Sequence, residues 1–585
     1  MKRGNREIGR VLREIGLFLE MEGVAFKPRA YEKAAQSIES MEPSVAELYE
    51  TGGEKAIETI PGVGKSIGEK VAELLSKGRV EYLEAMRAKR PVDVFALTSI
   101  EGVGPKTVAA LHDALGIRNL RDLEQAAKEG RIHGLKGFGE KTEREIRNGL
   151  EFLARARGRF LLGEILDLAS TIEGRLSKVR GVRKAEVAGS IRRRKETIGD
   201  ADVVAVSADP EAVMEAFVSM PEVAHVYGRG RTKSNVRLEN GLDVDLRVVP
   251  GESYGAALCY FTGSKAHNLR LRRLAMSRGW KLNEYGLFDE GGKVLAGRTE
   301  KEIYSALGLS YVPPELREDR GEVEAALAGR LPRLVPYGKL KGDLQVQTNW
   351  SDGKYSIEDM AEAARSRGLE YIAITDHGIE LAMTGLDGKR LLEQRKEIRK
   401  IDRRIPGIEI LAGVEANILV DGTIDIEDEV LSKLDVVGAA VHTHLHLSKT
   451  EMTKRICRAL RNPHVDILFH PTGRLLMKRD PYEIDIDEVI RVARETGTLL
   501  EVDALEDRLD LKDEHVRAAV EAGVKLVVDS DAHAPRHFDY LPLGVATARR
   551  GWATAADIAN ILPLPRFLGL LKDRTRNEYN SRVAR

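Results

Sequence analysis

The sequence predicts a multidomain chain with a helical front, an α+β middle and an α/β barrel at the C-terminal end. Three observations carry this. At 585 residues, the chain is several times the length of a common domain, roughly 100–200 residues. Through residues 1–155, apolar positions recur at i, i+3 and i+4 between glycine turns, the spacing of helices that bury one face. Beyond residue 340, short apolar runs (YIAITDHG, IEILAGVE, DVVGAAVHTH, VDILFHPT, GTLLEVDA, VKLVVDSDAH) alternate with amphipathic stretches. Strand–helix alternation over about 240 residues is how an α/β barrel reads in sequence.

The middle alternates as strands do in AEVAGS, DADVVAVS and NGLDVDLRVVP. An arginine-rich helix is expected over 265–285, and the proline-marked passage 311–336 reads as a linker. Charged residues at 31% and hydrophobic ones at 42% exclude disorder as an overall description. Two cysteines, Cys259 and Cys457, exclude a disulfide framework and a CxxC zinc site. Glu7 and Glu14 interrupt the first apolar pattern, so no signal peptide is expected there. No apolar run approaches a membrane span, and a cytoplasmic address is expected. Net charge is zero, but residues 1–340 hold 56 Lys and Arg against 50 Asp and Glu, and the remainder 36 against 42. A polyanion therefore suits the first part, and metal-holding carboxylates the second.

A short pattern recurs three times in the helical front: IPGVGKS, IEGVGPK and LKGFGEK, with glycines at Gly62 and Gly64, Gly102 and Gly104, Gly137 and Gly139. Each places an apolar residue between glycines and a lysine shortly after, ahead of a helical run. Such a helix–hairpin–helix turn lets bare backbone approach a DNA phosphate, with the next helix's N–H groups as donors. The contact positions without reading bases. Lys70 stands on the helix that the first turn opens, with Lys27, Tyr31 and Lys65 as phosphate partners. A lysine near other cations has its neutral amine favoured, as Schiff-base chemistry on a sugar aldehyde needs; a solvated phosphate-binding lysine is the alternative.

The sharpest constellation lies in AEVAGSIRRRKETIGDADVVAVS. Asp200 and Asp202 sit two apart entering an apolar strand, so both project from one face. Asp243 and Asp245 repeat the spacing in LDVDLRVVP. Carboxylate oxygens are hard ligands suited to Mg²⁺, and a third one beside the first pair completes a two-metal site for in-line nucleotidyl transfer. Upstream, Gly189-Ser190 followed by Arg192 and Arg193 is a glycine-opened helix start able to cradle a triphosphate.

The run GSIRRRKETIGDADVV, followed by VDLRVVP, YFTGSKAHN and LNEYGLF, resembles the family X DNA polymerases over about 1–317. The resemblance implies an α+β nucleotidyltransferase palm in which Asp200 and Asp202 bind both metals and Asp245 the catalytic one. It implies triphosphate contacts from Ser190, Arg193 and Gly199 beside Gly189. Tyr260, Phe261, Thr262 and Gly263 would form a sugar-side wall rejecting a 2′-OH, and Asn268 and Arg272 would face the nascent pair and template. Lys265 replaces an acidic residue of the vertebrate enzyme, so base-side contacts differ. Lys70 matches the family's Schiff-base lysine, with Lys65-Ser66 departing from the usual local order.

Residues 340–585 resemble the PHP (polymerase and histidinol phosphatase) domain through GDLQVQTNWSDG, ITDHG, GVEANI, VHTH, FHPTGR and SDAH. This resemblance implies a distorted seven-stranded barrel with metals at the strand C-termini. Asp352, His377, Glu415, His442, His470, Asp531 and His533 fall at the matching places. Two positions depart: the family's H-x-H pair is Gln345 and Gln347 here. A glutamine offers a neutral carbonyl oxygen, a poor ligand for zinc- or manganese-like ions. Glu415/His442/His470 and Asp352/His377/His533 keep their sets.

The expected domains are a lyase-like helix–hairpin–helix domain (1–85), a second helix–hairpin–helix domain (86–155), a palm (156–252), a thumb-type domain (253–317), a linker (318–338) and a PHP domain (339–585). The expected function is template-directed filling of short DNA gaps in repair, with Mg²⁺ or Mn²⁺ at the polymerase site and Zn²⁺ or Mn²⁺ at the residual PHP sites. Gapped or primer–template DNA and dNTPs are the expected partners of a monomer. Two rivals stand beside it: a nuclease or phosphatase driven by the PHP domain, and a non-catalytic scaffold binding DNA ends.

Overall fold

A computed structural model describes residues 4–39, 41, 44–100, 102–156, 158–379 and 385–572. The chain divides into two compact units, residues 1–157 with 477–480, and residues 158–476 with 481–585.

The first unit is helical. Its three glycine hairpins share one geometry. The first glycine of each (Gly62, Gly102, Gly137) has φ of +82°, +82° and +91°, a left-handed backbone that favours glycine. The apolar residue that follows turns inward: Val63 and Val103 are buried, and Phe138 packs against the same core. Its N–H bonds back three residues in every case, Val63 to Ile60, Val103 to Ile100 and Phe138 to Leu135. Gly64 and Gly104 then cap helices α1 (Lys65–Lys77) and α2 (Pro105–Leu115), and Gly139 precedes α3 (Glu140–Ala156).

The second unit contains, after a helix at Leu162–Ser177, a five-stranded mixed sheet: β1 (Val182–Val187), β2 (Asp200–Ser207), β3 (Val223–Arg229), β4 (Lys233–Leu238) and β5 (Asp243–Val249), in spatial order β1-β2-β5-β4-β3. Only β2 and β5 run parallel, and their register sets Asp200 beside Asp243 and Asp202 beside Asp245. A one-turn helix, α4 (Gly189–Arg192), sits between β1 and β2. Helices α5 (Tyr254–Thr262) and α6 (Lys265–Met276) follow. The arginine-rich helix expected to reach residue 285 stops at Met276, because Gly279 takes φ +73° and the chain enters a small sheet at Lys281.

The passage expected as a linker is ordered and packed. It carries α7 (Glu322–Leu327), whose Val323 and Ala326 enter one core with Leu271, Tyr304 and Leu334. Fully buried His267 lies 2.6 Å from Glu322 Oε1 and 2.8 Å from the Tyr304 hydroxyl. Four prolines and many charges hide this in the sequence; the charges turn out to pair with residues elsewhere in the chain, Arg317 with Glu300 and Glu318 with Arg193.

The remainder is a seven-stranded parallel sheet in sequential order: β6 (Gly342–Val346), β7 (Tyr371–Ile374), β8 (Glu409–Asn417), β9 (Val436–Ala440), β10 (Ile467–Leu468), β11 (Leu499–Asp503) and β12 (Leu526–Asp529). The ends approach closure: Gln347 N–H donates to Ala532 O at 2.8 Å and Ala532 N–H to Gln345 O at 3.0 Å. Strands buried on both faces read as continuous apolar runs, as these do. Helix α8 (Leu541–Arg550) packs on the same unit, and Trp552 after it joins the core formed by α6 and α7.

Candidate functional site

Asp202 is the most burdened carboxylate of the palm. Burial, then the charges of Asp200 and Asp245, push its pKa up to about 7. Three carboxylates crowded on adjacent strand ends disfavour the ionised form until a cation joins them. The residues present therefore fit a hard divalent ion. Asp245 is approached by the Asn235 amide and, at 3.7 Å, by Lys233 Nζ. Asp243 lies outside this group: Arg237 binds it through two nitrogens, both at 2.8 Å, and holds its carboxyl below the usual range.

Gly189 is required where it stands. Its φ is +62°, and a Cβ there would meet Asp202 Oδ2 at 2.6 Å. Ser190 Oγ is buried without a hydrogen-bond partner among the described residues. The two arginines after it diverge. Arg192 grips Glu300 through both terminal nitrogens, at 2.9 and 2.8 Å, and donates to Thr262 Oγ1. Arg192 is thereby committed to Glu300 and Thr262. Arg193 donates from Nε to Glu318 at 3.0 Å and from Nη1 to the Thr262 carbonyl. Gly199 sits against Arg159.

Tyr260 and Phe261 meet edge to face at 5.1 Å between centroids. Arg272 lies 5.2 Å over the Tyr260 ring, and Asn268 donates to the Tyr260 carbonyl at 2.7 Å. A cleft is lined by Tyr260, Asn268, Arg272 and Asn283. A Cβ on Gly263, at φ +70°, would meet Arg193 Nη1 at 3.2 Å. Lys265 is exposed at the start of α6. The sequence reading missed Arg247, two residues beyond Asp245 on β5, whose charge acts on Asp202 and which lies 5.5 Å over the Phe261 ring. The period of two in DVDLR was the available signal.

In the helical unit, Lys70 Nζ donates to Ser66 O and Oγ at 3.0 and 3.1 Å and lies 5.0 Å over the Tyr82 ring. Burial, with Lys27 adding repulsion against the pull of Glu69 and Glu73, lowers its pKa. Tyr31 is buried and its pKa is pushed up to about 12 by burial and Tyr82. Lys27 begins the helix Lys27–Glu39, and Lys65 is exposed at the first turn of α1.

At the C-terminal ends of the barrel strands, the side chains converge. Asp352, His377 and His533 form one group, and His377, Glu415 and His442 another, each with ligand atoms within 4.8 Å of one another. His377 and His533 both approach Asp352 Oδ2 at 3.4 Å. His442 and His470 share Glu415 Oε1 at 3.0 and 2.8 Å, so His377 is common to both groups and His470 lies beside the second. Burial alone would lower His377, but Glu415 and Asp352 overcome it and raise its pKa to about 9. Asp531 and Asp352 raise His533 to about 10 against the same penalty. Asn417, unforeseen in the sequence, lies 2.5 Å from His442 Nδ1 through its Oδ1, the kind of second contact that orients a ligating imidazole.

Gln345 and Gln347 fill the remaining place. Both are fully buried, and their amide nitrogens donate to Glu415 Oε2 at 3.0 and 2.7 Å; Gln347 also reaches Asp531 Oδ1 at 3.3 Å. An amide N–H pointed at a carboxylate stands where a cation would. Their carbonyl oxygens are buried without a partner among the described residues, whereas the two histidine–carboxylate groups present donor sets that fit a metal.

Sequence models match in the same order as the architecture: a helix-hairpin-helix domain at residues 3–80, a SAM-like helix-hairpin-helix tandem at 95–151, the DNA polymerase beta thumb at 257–318 and the PHP domain at 343–531. The DNA polymerase/3′-5′ exonuclease PolX of Bacillus subtilis (strain 168) is 37% identical over 572 residues, covering 97% of this chain and 99% of that one. The chain belongs to the family X DNA polymerases. Its barrel is the PHP domain of that family. The same barrel is 34% identical over 206 residues to a probable phosphatase of Thermoanaerobacter sp. (strain X514), covering 33% of this chain and 80% of that one. Among the described residues no helix is long and apolar enough to cross a membrane.

Proposed function

We propose that this chain is a template-directed DNA polymerase that fills short gaps, using two Mg²⁺ ions at Asp200, Asp202 and Asp245. The observation that carries the reading is Asp202 itself, an acid whose pKa is pushed up to about 7 by burial and then by two like charges, beside a glycine whose Cβ would meet it at 2.6 Å. Bound there, the ions would lower the cost of the primer oxygen's attack and of charge on the departing pyrophosphate. The chain's own groups would do the rest. Ser190, Gly189 and Arg193 would hold the triphosphate, Tyr260 and Phe261 would bound the sugar, and Asn268 and Arg272 would face the nascent pair. The glycine hairpins would grip DNA through phosphates. Lys70 would serve Schiff-base chemistry on a 5′ sugar, a reading supported by its lowered pKa.

The PHP barrel would be a weakened 3′–5′ exonuclease. Its two histidine–carboxylate groups suit Zn²⁺ or Mn²⁺, while the glutamine amides occupy the third place. Primer extension on a gapped duplex, with four dNTPs and with Mg²⁺ or EDTA, tests the polymerase reading. Extension that follows the template and requires the ion is expected; none under either condition refutes it.

A further inference from the structure

Resting on the polymerase reading above, we infer that Arg550, on the PHP side of the molecule, is a positioning residue for the nucleotide's triphosphate. Arg550 ends helix α8 and its side chain is 4% exposed. One terminal nitrogen, Nη1, donates to the backbone carbonyl of Arg193 at 2.9 Å and to Glu318 Oε1 at 3.2 Å. The other, Nη2, donates to Asp513 Oδ2 at 2.5 Å. Glu318 in turn accepts from Arg193 Nε at 3.0 Å. The guanidinium of Arg550 is thereby locked in plane by three acceptors, and two of them belong to the residue expected to meet the triphosphate or to that residue's partner.

The consequences follow from donor counting. Arg193 spends Nε on Glu318 and Nη1 on the Thr262 carbonyl, leaving Nη2 unpaired among the described residues and available to an incoming anion. Glu318 sets that geometry, and it is balanced between Arg193 and Arg550; Lys195 adds further positive charge nearby. Without Arg550, the Glu318 charge would fall on Arg193 alone and compete with the triphosphate for the same guanidinium. The Arg193 carbonyl would also lose its donor just before Arg194, whose φ of +55° marks a tight turn. A barrel with a compromised metal site therefore remains part of the polymerase site next to it.

The test uses the full chain on a one-nucleotide gap, with Arg550→Ala and Arg550→Lys, reading KM for dNTP, kcat, active fraction and melting temperature. Loss of a buried charge-assisted contact should raise the dNTP KM about tenfold in Arg550→Ala, with active fraction and DNA affinity unchanged. Lysine keeps the charge but cannot span three acceptors, so Arg550→Lys should fall between. An unchanged dNTP KM in both variants, or a loss confined to active fraction, overturns the inference. A parent chain that inserts nothing would refute the polymerase reading instead. Calorimetric titration of Mg²⁺·dNTP into the DNA-bound variants would then still decide the role of Arg550.

Discussion

Asp202 concentrates a conflict between stability and function in one side chain. Its folded pKa of about 7 lies above that of an unfolded aspartate, so the metal-free fold holds the proton more tightly than the unfolded chain does. Stability from this group is complete below about pH 4 and is lost as pH rises toward 7. Asp202→Asn should therefore raise the stability of EDTA-treated protein at pH 8, on the order of 2 kcal/mol, and should match the parent near pH 4. Mg²⁺ should stabilise the parent and not the variant; thermal melts across pH check both. The same substitution should abolish extension, as should Asp200→Ala and Asp245→Ala, while gapped-DNA binding persists. Asp243→Ala should cost much less, because its partner is Arg237. An essential Asp243 with a dispensable Asp245, read by primer extension, would contradict the register drawn for β5. The carboxylates and histidines were legible in the sequence because chemistry demands those residue types at strand ends. Arg192 was not: an Arg-Arg-Arg run looks uniform until the fold assigns one member to Glu300 and another to Glu318.

At the scale of elements, the one-turn helix α4 begins at a glycine that combines a left-handed backbone with a carboxylate too close for a Cβ. Gly189→Ala places a methyl 2.6 Å from Asp202 Oδ2 at φ +62°. It should cost about 1–3 kcal/mol and lower extension sharply, as melting and insertion kinetics would show together. Gly64→Ala makes a useful contrast, since a Cβ there meets nothing within 4 Å and φ is −83°. It should fold normally and weaken DNA binding only, a result that electrophoretic titration would reveal. The glycine pattern announced the hairpins because a left-handed turn and a buried residue between glycines leave a local trace. The helix α7 left none: its anchor is the pairing of Glu322 with His267, 55 residues apart in the chain, which no local pattern encodes.

Across the whole molecule, DNA affinity should fall steeply with salt, each lost phosphate contact removing about 0.9 from the slope of log K against log salt. Replacing Lys65 and Lys70 together should reduce preference for a gap with a 5′-phosphate more than affinity for plain primer–template; equal loss on both would assign them to general binding. The barrel's six later strands were readable as apolar runs. Its inner state was less so, since the sequence gives two glutamines without saying that their amides would point at Glu415 and Asp531. Gln345→His with Gln347→His should raise bound transition metal, counted by mass spectrometry, and raise nuclease activity with it. The most direct test of the central claim, an active polymerase joined to a weakened nuclease, follows extension and degradation of one labelled primer by the parent, Asp245→Ala and His442→Ala. Extension by the parent and His442→Ala but not by Asp245→Ala, with little degradation by any of them, is the predicted result. Strong degradation by Asp245→Ala that His442→Ala abolishes would contradict it.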